Sequence, residues 1–215
     1  MIEIKSYTLR LALERRGLIE LEDRVHADYW ARQGWTNTIK KLHIDFDIAF
    51  LGNSITRGSD FQAAFPDKKI INLGYAGDNL IGMLRRVPML VAANPRKIFI
   101  MAGTNDLVHV DLTEYRQNFE KLLSAISDSL PNAQIFVQSV LPSNHEMSVR
   151  KYASNKKVIE ANQILRSVCE VYHYKYIDLY DLYVGRDGEL MKEFTKMVYT
   201  YCQNITTSGL KRFAH

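Results

Sequence analysis

Five short apolar runs punctuate the chain: Ile48-Ala49-Phe50-Leu51, Ile70-Ile71-Asn72-Leu73, Ile98-Phe99-Ile100-Met101, Ile135-Phe136-Val137-Gln138-Ser139-Val140 and Tyr176-Ile177-Asp178-Leu179. Their length and their β-branched and aromatic content predict strands, and near-continuous apolarity is the pattern of parallel strands covered on both faces. Between them the pattern changes to steps of three and four. Leu112, Tyr115, Phe119, Leu122, Leu123, Ile126 and Leu130 mark one helix, with Asp111 placed to cap it and Pro131-Asn132 to end it. Val158, Ala161, Leu165, Val168, Cys169 and Tyr172 mark a second. Leu80, Met83, Leu84 and Val87 mark a third, which Pro88 is expected to stop. Each stripe reads as a core face. Strands alternating with helices of this length predict an open parallel α/β sheet, in which ligands bind beyond the carboxyl ends of the strands.

With 215 residues the chain is expected to form one domain. It divides into an N-terminal helical extension over 1–45, a core over 46–196 and an atypical tail over 197–215. The formal net charge of +4 is spread over scattered basic residues and short groups such as Lys40-Lys41, Arg85-Arg86 and Lys156-Lys157. No basic stripe or nucleic-acid motif is present, so no nucleic-acid partner is expected. No apolar run reaches membrane-spanning length. Glu3 and the charged residues that follow make the N-terminus a poor secretory signal, so a cytoplasmic location is expected. Cys169 and Cys202 read as free thiols of a reducing compartment, and no Cys/His cluster has zinc spacing, so no metal is expected.

Chemistry concentrates at three strand ends. Gly52-Asn53-Ser54 follows the first strand, Asn72-Leu73-Gly74-Tyr75-Ala76-Gly77-Asp78 the second, and Ala102-Gly103-Thr104-Asn105-Asp106 the third. Each is a small or glycine-containing turn leading toward a helix, so backbone N–H groups can face one shared crevice. Alone, Ser54 is a helix cap, Gly74 a turn glycine and Asn105-Asp106 a capping pair. Three such turns after three consecutive strands point instead to acyl transfer: Ser54 attacks a carbonyl, and fixed donors hold the oxygen that becomes negative. The donors available are the N–H of Ser54, the N–H of Gly74 and the side-chain amide of Asn105, which donates without titrating. Glycine at 74 is expected to leave room for the substrate. Asn53, Asp78 and Asp106 are further candidates for lining the substrate pocket.

"GNSIT", "NLGYAGD" and "GTND" resemble the first three blocks of the SGNH (GDSL-type) hydrolases. The likeness is strongest to the branch similar to platelet-activating-factor acetylhydrolase and bacterial carbohydrate O-acetylesterases. It runs from about Tyr29 to Phe194, with "GTND" the most specific block and "GNSI" a variant of "GDSL". The resemblance implies a flavodoxin-like three-layer α/β/α fold with a five-stranded parallel sheet. It also implies Ser54 as nucleophile, Gly74 and Asn105 completing the oxyanion hole, and no metal or organic cofactor.

The family's fourth signature, an Asp and a His three residues later near the C-terminus, does not occur after the last predicted strand. There the His takes the serine proton and the Asp orients the imidazole. Asp23 with His26 precedes the whole sheet. Asp106 with His109 starts inside the oxyanion block, and His109 leaves on the following loop. His173 precedes the last strand and is expected at the opposite end of the sheet. From Met197 the chain reads "MVYTYCQNITTSGLKRFAH", without a helical apolar period. Adding one base, G, before the Met197 codon makes the overlapping bases read Asp-Gly-aliphatic-(His or Tyr)-aliphatic-Leu. The Gly is forced by the code, and the Asp and His depend on the bases chosen. The tail is therefore expected to be a frameshifted remnant of the missing block, leaving Ser54 without its acid–base pair.

The function expected is a serine esterase that removes a small acyl group, acetyl first among them, from a carbohydrate or lipid-like alcohol through an acyl-enzyme. The partner expected is a small-molecule ester substrate, with no nucleic acid and no membrane span. The alternative from another class is a non-catalytic α/β module binding a glycan or acyl ligand in the same crevice.

Overall fold

The computed structural model describes residues 45–148 and 152–195, together with Ile39. The expected N-terminal extension and C-terminal tail therefore lie outside the described residues, apart from Ile39 and Asp45. In chain order the elements are β1 (Ile48–Gly52), α1 (Ser54–Arg57), α2 (Phe61–Ala64), β2 (Ile70–Gly74), α3 (Leu80–Arg85), α4 (Val87–Ala93) and β3 (Lys97–Met101). There follow α5 (Leu112–Ser129), β4 (Gln134–Gln138), α6 (Asn155–Tyr172), β5 (Lys175–Ile177), α7 (Tyr180–Tyr183) and α8 (Lys192–Thr195).

All five strands are parallel and lie in the order β2-β1-β3-β4-β5, the flavodoxin-like winding. The five apolar runs each become a strand. The last two stop short of the predicted ends, at Gln138 and Ile177, because the chain turns away at Ser139. The Ser139 hydroxyl there accepts the N–H groups of Leu179 and Tyr180 at 2.9 and 2.8 Å. Asp111 caps α5 as expected, accepting the Glu114 N–H at 2.8 Å. Pro88 behaves differently from the expectation. The helix breaks at Arg86, and Pro88 sits in the first turn of α4, where its missing N–H has no intrahelical partner to lose.

Strand side chains alternate between two apolar layers. Ala49, Leu51, Ile98, Ile100, Ile135 and Val137 face the layer built with α3 to α6. Ile48, Phe50, Phe99, Met101, Phe136 and Ile177 face the layer that includes Phe61 of α2 and Tyr183 of α7. In the second layer, register places Phe50, Phe99 and Phe136 side by side on neighbouring strands. Their rings stack at centroid separations of 5.1 and 4.5 Å, and Phe61 closes the row on Phe50. This aromatic ladder holds β1, β3 and β4 at fixed spacing just below the ends that carry the polar turns. Among the described residues no helix is long and apolar enough to cross a membrane.

Phe99 is 1% exposed at the centre of the ladder. Phe99→Ala is expected to lower unfolding free energy by about 3–5 kcal/mol, read from urea denaturation at constant m-value.

Candidate active site

Ser54 opens α1, a single helical turn set directly on the end of β1. A helix this short has little stability of its own, so its neighbours must hold it. Asn53 does so from the front: its side chain accepts the Ile55 N–H at 2.9 Å, and the residue is 1% exposed. The Ser59 hydroxyl donates back to Ile55 O at 3.0 Å. From β2, Asn72 Nδ2 donates to Thr56 O and Ser59 O at 2.8 and 3.1 Å. Among the described residues, none hydrogen-bonds the Ser54 hydroxyl, and the Ser54 N–H has no acceptor.

Gly74 lies beside this turn, in register with Gly52 across the sheet. A Cβ at position 74 would sit 2.2 Å from Arg57 N and 2.6 Å from the Thr56 carbonyl carbon. The room that glycine leaves is thus filled by the turn after Ser54, a different physical reason from the substrate clearance expected of it. Gly52 is constrained in the same way, since a Cβ there would meet Thr56 Oγ1 at 2.0 Å. The Gly74 N–H donates to Asn72 Oδ1 at 2.9 Å.

The third turn is fastened to the second at two points. Asn105 Nδ2 donates to Asp78 O at 2.7 Å, and Asp106 Oδ1 accepts the Leu80 N–H at 2.9 Å. The far side of the Asn105 loop is tied by Lys157, whose ammonium donates to Leu107 O and Val110 O, both at 2.7 Å. Structure therefore gathers the ends of β1, β2 and β3, bearing Ser54, Gly74 and Asn105, into one hydrogen-bonded assembly.

Arg86, which the sequence presents only as half of a basic pair, is fully buried beneath these turns. Its guanidinium donates to Leu73 O and the Asp78 carboxylate, and to Gly52 O at 3.3 Å. It also lies over the Tyr75 ring, 4.2 Å from the centroid. Asp78, 1% exposed, is thus engaged by Arg86, and Asp106, 6% exposed, by the start of α3. All three residues put forward for the pocket lining are buried: Asn53 and Asp106 accept backbone N–H groups, and the Asp78 carboxylate accepts from Arg86. The one sequence signal of Arg86 is its position on the Leu80–Met83–Val87 stripe, where a charge interrupts an apolar face.

The described histidines fall into separate places. His109 is exposed on the loop after Asn105, and His173 ends α6 in the left-handed region (φ 57°) at the amino end of β5, opposite the strand ends that carry Ser54. His145 follows β4. Its Nδ1 lies 2.9 Å from Glu189 Oε2 and its Nε2 3.2 Å from Ala153 O, so both ring nitrogens already face oxygens. Desolvation raises the Glu189 carboxyl, and the His145 N–H, ring and charge together with Asn155 outweigh it, giving a net downward shift. This pair latches the loop after β4 to the turn after α7. His26, His215 and the segment from Met197 lie outside the described residues, as does Cys202. Cys169 is buried and free, its thiol pushed up to about 12 by burial.

Burial also raises the Asp78 carboxyl, against the pull of Arg86. It raises Asp106 to about 6, with the nearby Asp78 charge adding to the effect. Because this exceeds the ordinary value of 3.8, the folded state keeps a proton that the unfolded state has already released. Asp106 therefore contributes most below about pH 4, and stability falls by about 2–3 kcal/mol as pH rises to about 6 and above. Asp106→Asn keeps an acceptor for Leu80 and should flatten that slope in urea denaturation curves taken across the window.

The GDSL-like Lipase/Acylhydrolase family matches residues 50–196. No curated protein matches the chain. Among solved structures, a Streptococcus pneumonia protein named as a platelet activating factor superposes with a TM-score of 0.73 at 21% identity, covering 98% of this chain and 100% of its own. A GDSL-like lipase from Bacteroides thetaiotaomicron VPI-5482 gives 0.66 at 19% identity over 78% of this chain and 87% of its own. A member of the lipolytic protein G-D-S-L family from Veillonella parvula DSM 2008 gives 0.53 at 21% identity over 73% and 94%. These structural likenesses carry the fold, and the family match spans all three polar turns: the chain belongs to the GDSL-like lipase/acylhydrolase family of carboxylic ester hydrolases.

Proposed function

We propose that the protein is a serine esterase acting on a small acyl ester, acetyl first among them, of a carbohydrate or lipid-like alcohol. Ser54 Oγ attacks the carbonyl carbon while its proton passes to a base. The tetrahedral oxyanion is held by the N–H groups of Ser54 and Gly74 and by the second amide hydrogen of Asn105. Collapse breaks the bond to the alcohol oxygen, the alcohol leaves with a proton, and water hydrolyses the acyl-enzyme by the same route.

The observation that carries this reading is the fastening of three turns into one assembly: Gly74 packed on the nucleophile turn, and Asn105 tied to Asp78 O at 2.7 Å. Donors held this way are already positioned as charge develops, the Gly74 N–H being shared between Asn72 Oδ1 and the oxyanion. The small acyl group and the alcohol class follow the resemblance of the "GNSIT", "NLGYAGD" and "GTND" blocks. The base belongs to the Asp-Gly-x-His string hidden in the alternative frame at Met197, outside the described residues. As written, the chain then retains only binding and oxyanion stabilisation.

Hydrolysis of p-nitrophenyl acetate tests this. In a chain carrying the restored frame from Met197, Ser54→Ala should lower turnover by about 10⁴–10⁶-fold, and Asn105→Ala should lower kcat by about 10²–10³-fold. A chain carrying the restored frame from Met197 should exceed the chain as written by about 10⁴–10⁶-fold. Superimposable traces for the native chain and Ser54→Ala, in both frames, would instead make the crevice a ligand-binding site.

A further inference from the structure

Asn72 has no role in the acyl-transfer scheme, yet its amide joins two of the scheme's parts. It lies on β2 two residues before Gly74, so both face the same side of the strand. That is the side on which the Thr56–Arg57 backbone rests against the Gly74 α-carbon. A one-turn helix leaves its last carbonyls without intrahelical donors. Asn72 Nδ2 serves that end of α1, at Thr56 O and Ser59 O, 2.8 and 3.1 Å away. The same side chain accepts the Gly74 N–H through Oδ1 at 2.9 Å.

The chemistry of each end matters. Two donors facing two carbonyls set the height of the nucleophile turn over β2. One neutral acceptor facing the Gly74 N–H sets the direction of the Leu73–Gly74 peptide and keeps that donor aimed. A neutral carbonyl is a weaker acceptor than an oxyanion, since charge-assisted hydrogen bonds are about twice as strong. The N–H can therefore be shared with, or surrendered to, the developing oxyanion. A carboxylate at 72 would do the opposite at both ends. It would face the Thr56 and Ser59 carbonyls with no donor, grip the Gly74 N–H strongly, and set a negative charge next to the oxyanion.

We propose that Asn72 is a positioning residue for acyl transfer: its side-chain amide fixes the Ser54 turn against Gly74 and holds the Gly74 N–H ready for the oxyanion. This rests on the serine-esterase reading above. Because the interactions act on geometry and on transition-state charge, losing them lowers kcat rather than weakening substrate binding.

The test compares the full chain with its frame restored from Met197 against its Ser54→Ala, Asn72→Ala and Asn72→Asp variants on p-nitrophenyl acetate, counting only turnover that Ser54→Ala removes. Asn72→Ala should lower kcat by about 10–100-fold with KM changed by less than about threefold. Asn72→Asp should be worse near neutrality. Its kcat relative to the native chain should rise as pH falls from about 8 to about 5, because a protonated carboxyl regains one donor and a neutral acceptor. A merely structural role would give a ratio that is flat with pH and follows thermal stability. If Asn72→Ala does not fold, the pH dependence of Asn72→Asp decides alone. A native-like kcat in Asn72→Ala, or a flat ratio in Asn72→Asp, overturns the positioning role while leaving Ser54-dependent turnover intact. Turnover left unchanged by Ser54→Ala in the restored-frame chain overturns the esterase reading, and the role of Asn72 falls with it.

Discussion

A single buried guanidinium organises the end of this sheet that carries Ser54. Where parallel strands β1 and β2 run out, Gly52 O and Leu73 O lie where the ladder no longer provides all their donors. Arg86 reaches both and closes on the Asp78 carboxylate. The Tyr75 N–H meets Gly52 O from the other side at 3.0 Å, so the carbonyl that precedes the Asn53-Ser54 turn is held from two directions. A rigid fork with several donors suits this task, as a flexible lysine would not. Taking such a charge out of water is costly, and the ion pair with Asp78 offsets that penalty without becoming a net source of stability. Its contribution is geometric. Asp78, fixed by Arg86, presents its own carbonyl to Asn105, and Asp106 takes the N–H of Leu80, so the β3 turn inherits its position from the same centre.

This explains which parts of the molecule are legible from residue patterns. Strand and helix faces are visible because burial repeats with a fixed period, and the Asp111 cap because its acceptor serves the very next turn. The break at Arg86 is less visible. Pro88 marks a discontinuity, but whether it ends one helix or starts another depends on the chain turning at Arg86 to bring the guanidinium under the strand ends. Arg86 and Asn72 are hard to recognise for a shared reason: each is a polar residue inside an apolar pattern, and its partners are carbonyls. Carbonyls belong to every residue and leave no mark in a sequence. Gly74 was recognisable as a position where a side chain cannot fit, while the object filling the space, the turn after Ser54, is a tertiary fact.

The same centre answers an electrostatic difficulty. An oxyanion hole stabilises developing negative charge, so fixed carboxylates close behind it work against it. Two lie in the turns proposed to build the hole, Asp78 and Asp106. Arg86 cancels the first, and its donors are directed at the backbone and at Asp78. Burial raises the second to about 6, and above that pH its charge is met by the Leu80 N–H. The donors proposed for the hole are themselves neutral dipoles: the Ser54 N–H, the Gly74 N–H and the Asn105 amide. Neutral dipoles draw an oxyanion without drawing a counter-anion into the empty site. They keep this property only while their directions are held, which is why so many side chains here are spent on backbone carbonyls rather than on substrate.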